Sequence, residues 1–199
     1  MYRYSDNVKF MPYVGAYYTT SNVKVMLLGE SHYAHSMEAY NNFTIDVVER
    51  YIKMGDNPKF FNGILRTLYG EISDREAQFQ NICFYNYIQE FVGEHHNDKK
   101  TNKMWIDAQP AFLSVLEELQ PDAVICFGKT MYNELPPGGK AGATYTAEET
   151  TIRSWIYTAK KEIPIFCVTH PSYIGGFNAE KFHNVIKEIP VFQNFLYGE

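Results

Sequence analysis

The run Val23-Lys24-Val25-Met26-Leu27-Leu28-Gly29-Glu30-Ser31-His32-Tyr33 decides the fold: an apolar stretch stops at a glycine and passes at once into polar side chains. Apart from Lys24, residues 23–28 read as a buried strand, and Gly29 as the tight turn that closes it. The same pattern recurs near the other end, where residues 163–168 run into Thr169-His170-Pro171-Ser172-Tyr173. A third apolar run, 82–88, carries Tyr85 and Asn86. Open α/β sheets bind ligands beyond the carboxyl ends of their strands. A glutamate, a serine, an asparagine and histidines at such places suggest chemistry more than packing.

Between these runs the apolar residues recur at helical spacing. Phe43, Val47, Val48, Tyr51 and Ile52 make one stripe, which Gly55-Asp56-Asn57-Pro58 ends. Phe60, Phe61, Ile64, Leu65 and Leu68 make a second. Pro110 fits the first turn of a helix that buries Phe112, Val115, Leu116 and Leu119. Residues 123–127 form another strand, closed by Gly128, and 135–143, with two prolines and three glycines, a loop. Thr146 and Glu149 have capping-box spacing ahead of Ile152, Trp155, Ile156 and Ala159, which predicts a helix there. Asn178 is placed to cap a last helix, which Pro190 ends or kinks. Residues 1–20 read as an irregular, tyrosine-rich surface segment. Strands alternating with helices predict a three-layer α/β/α fold around a central four-stranded, mostly parallel sheet. At 199 residues, with no repeat or linker, the chain is expected to form one domain over 1–199.

A net charge of −5 argues against attachment to nucleic acid by bulk electrostatics. Lys99, Lys100 and Lys103 offer a local basic strip, but the plainer reading of residues 95–103 is a solvated polar loop. Cys83, Cys126 and Cys167 lie in apolar runs without a C-x-x-C spacing, as core thiols of a reducing compartment do. With no apolar leader and no run of membrane-spanning length, a cytoplasmic protein that takes no membrane partner is expected. Glu94, His95, His96 and Asp98 are crowded into one loop without ligand spacing, and His32 and His35 lack a visible third ligand. No metal and no other cofactor is expected.

The strand ends carry a coherent chemistry. A carboxylate such as Glu30 orients or deprotonates water. A histidine such as His170 stabilises negative charge on a leaving group. An asparagine offers a donor and an acceptor to the edge of a base, and tyrosines offer faces on which a base stacks. Cleavage of a base from a sugar needs this set.

On these residues the chain resembles the uracil-DNA glycosylase superfamily. Gly29-Glu30-Ser31-His32-Tyr33 is similar to that family's first motif, of the kind Gly-Gln-Asp-Pro-Tyr or Gly-Glu-Ala-Pro-Gly. His170-Pro171-Ser172 is similar to its late His-Pro-Ser motif, Asn86 to its middle-strand asparagine, and residues 121–129 to its penultimate strand. The resemblance implies an enzyme that hydrolyses the N-glycosidic bond of uracil or a related modified base in DNA, single-stranded or damaged duplex. It implies that Glu30 activates water, that Gly29 and Tyr33 shape the pocket, and that Asn86, next to Tyr85, reads the base edge. It further implies that His170 faces the carbonyl oxygen that gains charge, that Ser172 contacts a phosphate, and that Tyr173 or Ile174 wedges into the base stack. Target bases must leave the stack to be reached. Ser31 stands where several branches carry an aspartate or asparagine base, and His32 where they carry proline. Serine is no base alone, so Glu30 or His32 must do that work. The cysteines that hold an iron–sulfur cluster in some branches have no counterparts.

Two other functions fit parts of the same pattern. Gly29-Glu30-Ser31 is also similar to the nucleophile block of GDSL-type esterases, with Ser31 attacking and His170 as its base, although the usual Asp-x-x-His is missing. Alternatively, a module that binds a nucleobase or nucleic acid would keep the pocket without the chemistry.

Overall fold

The computed structural model describes residues 2–34, 40–95, 98–173 and 175–198. The chain builds an α/β fold on one mixed seven-stranded sheet. Its strands are β1 (Tyr13–Val14), β2 (Val25–Gly29), β3 (Ile82–Asn86), β4 (Ala123–Phe127), β5 (Lys140–Ala147), β6 (Thr150–Thr158) and β7 (Glu162–Val168). The order across the sheet is β1-β3-β2-β4-β7-β6-β5. The central four, β3, β2, β4 and β7, run parallel, and these are the four strands legible as apolar runs. Three antiparallel strands extend the sheet: β1 beside β3, and β6 then β5 beyond β7.

Strand alternation sorts the core into two layers. Val25, Leu27, Ile82, Phe84, Ile125 and Phe127 face one side. There they meet α1 (Phe43–Met54), α2 (Pro58–Tyr69), α3 (Arg75–Gln80), α6 (Ala179–Ile186) and α7 (Pro190–Tyr197). Met26, Leu28, Cys83, Tyr85, Val124 and Cys126 face the other side, against α4 (Asn102–Leu119) and α5 (Lys129–Asn133). The apolar central strands follow from this covering on both faces.

Several expectations are corrected. The sheet has seven strands, not four: residues 140–158 form a hairpin where a loop and then a helix were predicted, and Tyr13–Val14 adds an edge strand within the segment read as irregular. Thr150, Thr151, Ile152, Trp155, Ile156, Tyr157 and Thr158 are β-branched or aromatic, and such side chains pack better on a pleated surface than round a helix. Thr146 makes no helix cap; its hydroxyl bonds across the hairpin to that of Thr151 at 3.0 Å. Pro110 lies deep inside α4, because Thr101 starts that helix by accepting the Met104 amide at 3.2 Å. The proline is tolerated where its turn, with exposed Ile106, meets solvent. Pro190 opens α7 after α6 has ended, while Asn178 does cap α6 through the Lys181 amide. No helix among the described residues is long and apolar enough to cross a membrane.

Candidate active site

Beyond the carboxyl ends of β2, β3 and β7 lies a cavity of about 430 Å³. Glu30, Ser31, His32, Tyr33, Asn86, His170, Ser172 and Tyr173 line it, with Val47, Asn57, Phe60, Phe61, Phe84 and Lys100. Eight of the ten residues singled out from the sequence therefore share one space. Gly29 and Tyr85 do not line it.

The first motif is held by a continuation of the β2–β3 ladder past the strand ends. The Tyr87 and Ile88 amides donate to the Gly29 and Glu30 carbonyls, each at 2.9 Å, and the Val92 amide donates to the His32 carbonyl at 3.1 Å. Gly29 pairs in register with Asn86. A β-carbon on Gly29 would come within 2.2 Å of the Asn86 Oδ1, so this glycine is what lets the amide lie across β2. Asn86 shares its face with Phe84, whereas Tyr85 points the opposite way and is buried in the α4 layer. Placing Tyr85 beside Asn86 in the pocket is therefore corrected: neighbours on a strand project to opposite faces.

His32 is 5% exposed. Its Nε2 lies 2.8 Å from the Thr44 hydroxyl at the start of α1, and Phe10 and Phe43 meet the ring edge-on. The Asn86 Nδ2 approaches both ring nitrogens at 3.1 Å and donates to the Ser31 carbonyl at 3.3 Å. Burial, helped by Arg50, lowers the pKa of His32 to about 3. The neutral ring accepts from Asn86 at Nδ1 when Nε2 donates to Thr44, so it aims the asparagine amide. A buried ring tied up in this way is poorly placed to act as a base.

His170 is set by its own motif. Its carbonyl accepts the Tyr173 amide at 2.9 Å, closing a turn with Pro171 at the position that suits proline. Pro171 is buried against α2, where a β-carbon on Gly63 would lie 2.7 Å from it. The Ser172 amide donates to His170 Nδ1 at 3.1 Å, so the neutral ring carries its proton on Nε2. Burial lowers the pKa of His170, with Glu30 pulling it up and Lys100 pushing it down. Phe60 from α2 lies at 5.3 Å from the ring, tilted by 30°. Among the described residues no hydrogen bond joins Ser31 to His170.

Glu30 forms an ion pair with Lys100, their side chains 16% and 18% exposed. The Lys100 ammonium also lies 5.4 Å from the centre of the Tyr33 ring. Burial works against its charge, but the bonds to Glu30 and Tyr33 outweigh that and raise its pKa. Lys100 is thus corrected from a solvated loop residue to a wall of the cavity. Phe60, Phe61 and Phe84 were legible only as core positions, and no local signal distinguishes their part in lining the cavity. Ser172 is exposed at the rim, and Tyr173 is 63% exposed beside it. Ile174, His35 and His96, weighed above as a wedge and as metal ligands, lie outside the described residues. Among the described residues no group of three metal-ligating side chains comes together.

No curated protein matches the chain. The family model described as the uracil DNA glycosylase superfamily matches it over residues 16–189.

Proposed function

The chain belongs to the uracil DNA glycosylase superfamily, and on that premise we propose that it hydrolyses the N-glycosidic bond of uracil or a related modified base in DNA. The observation that carries this reading is the convergence of Glu30, Asn86 and His170 on one cavity walled by Phe60, Phe61 and Phe84. A flipped base fits an aromatic wall with a polar edge reader opposite. Asn86, aimed by His32, reads the edge of the base. As the C1′–N bond breaks, its electron pair moves onto the base, and His170 Nε2–H donates to the oxygen where charge gathers. Glu30 orients the water whose oxygen bonds to C1′, and takes the proton that water releases. Ser31, at the base position of other branches, leaves this work to Glu30. Ser172 meets a phosphate, Tyr33 shapes the pocket and Tyr173 takes the vacated place in the stack. We further propose that residues 1–199 act as one domain.

The deciding experiment is base release from single- and double-stranded oligonucleotides containing uracil, hypoxanthine or other modified pyrimidines. Glu30→Gln and His170→Ala are each expected to lower kcat by about 10²-fold or more. Full activity in either variant would sink the assignment. Tight binding of DNA or a nucleobase with no release from any substrate would favour a binding module on the same pocket.

A further inference from the structure

We propose that Lys100 is a positioning residue of this site: its ammonium clamps Glu30 across the cavity and cancels the negative charge beside His170. The clamp thereby keeps His170 a neutral hydrogen-bond donor. This role rests on the reading of His170 given above.

Lys100 arrives from a distant part of the chain, immediately ahead of Thr101, the residue that caps α4. The helix start therefore fixes where its side chain begins. The ammonium reaches back to Glu30 Oε1 and over the face of Tyr33, joining the first motif to the approach to α4. Both partners of the ion pair are largely withdrawn from solvent, where a lone charge is expensive and a paired one is held firmly. The carboxylate is held through its Oε1.

Among the described residues the charges facing this pair are few. Glu30 is met by Lys100, His170 and the buried Cys126 thiol of β4, with Tyr33 on its own segment. His170 is met by Glu30 and Lys100, whose effects on it oppose each other, and by the uncharged ring of Phe60. An unclamped Glu30 would favour the imidazolium. Protonation at Nδ1 would break the bond from the Ser172 amide and release the ring from its turn.

The test is an NMR titration of the His170 imidazole, which needs no turnover. In Lys100→Met the midpoint should rise by about one pH unit, the scale of a single nearby charge. In Glu30→Gln it should fall, and in the double variant it should return towards the wild-type value. Lys100→Arg should keep it. If Lys100→Met does not fold, Glu30→Gln and Lys100→Arg still decide. A midpoint unmoved by removal of either charge overturns the proposal. So does borohydride trapping of DNA on Lys100, because a clamped ammonium forms no imine. In base release at a pH below both midpoints, Lys100→Met should lose up to about tenfold in kcat with KM little changed, and Lys100→Arg should rescue it. Midpoints that shift as stated in a protein that releases no base would uphold the clamp and refute the glycosylase reading.

Discussion

Asn86 depends on two residues whose roles come from opposite extremes of size. Gly29, directly across the ladder, has no side chain and leaves the amide its place; His32 fills the space behind and aims it. Gly29→Ala is therefore expected to keep the fold but displace the amide by about an ångström, lowering kcat/KM by about 10²-fold in the base-release assay. His32 also makes a thermodynamic prediction. Its folded pKa of about 3 lies below the unfolded 6.5, so the unfolded chain binds the extra proton between those values. Its contribution is intact above pH 6.5 and is lost as pH falls, at up to about 1.4 kcal/mol per pH unit, until the folded ring also titrates. Urea midpoints followed from pH 7 to pH 4 should fall less steeply in His32→Gln than in wild type. Asn86, Glu30 and His170 were legible because each follows an apolar run. His32 was legible only as a member of the motif, since nothing local says that Thr44, Phe10 and Phe43 will enclose it.

The hairpin of β5 and β6 is the element where local signals conflict. Thr146 and Glu149 have the spacing of a helix start, and Ile152, Trp155, Ile156 and Ala159 can be drawn as a helical stripe. The antiparallel edge of β7 decides otherwise, because residues 154–158 satisfy its backbone groups. Burial in β6 then falls on Ile152, Ser154 and Tyr157, and the Ser154 hydroxyl finds the Ala143 carbonyl at 2.7 Å. The turn carries a strained residue: Glu148 has φ of 51°, a conformation that suits glycine. Glu148→Gly should stabilise the protein by about 0.5–1 kcal/mol in urea unfolding, whereas a helix in this place would be weakened by the same change. Ile152→Ala, in the core shared with α6, should cost about 2–4 kcal/mol.

At the scale of the whole molecule, the chain carries 18 basic against 23 acidic side chains. Lys100 is committed to Glu30 and Lys103 to Asp107, which leaves little of the basic strip for phosphates. KM for an oligonucleotide substrate should therefore depend weakly on salt, with a logarithmic slope corresponding to about one or two phosphate contacts. A slope of six or more would show a cationic surface that this charge distribution does not offer. The four central strands, the helices at 43–54 and 58–69, and three of the polar groups at the strand ends can be read from the order of residues alone. Those features are written in apolar runs and helical periods, and burial imposes such patterns on neighbours in the chain. The order of the sheet and its antiparallel extensions, the burial of Tyr85 away from Asn86, and the entry of Phe60 and Lys100 into the cavity emerge only in the folded arrangement. Each of these depends on which distant segments come to lie side by side, and a contact between residues 30 and 100 leaves no mark on the residues near either of them.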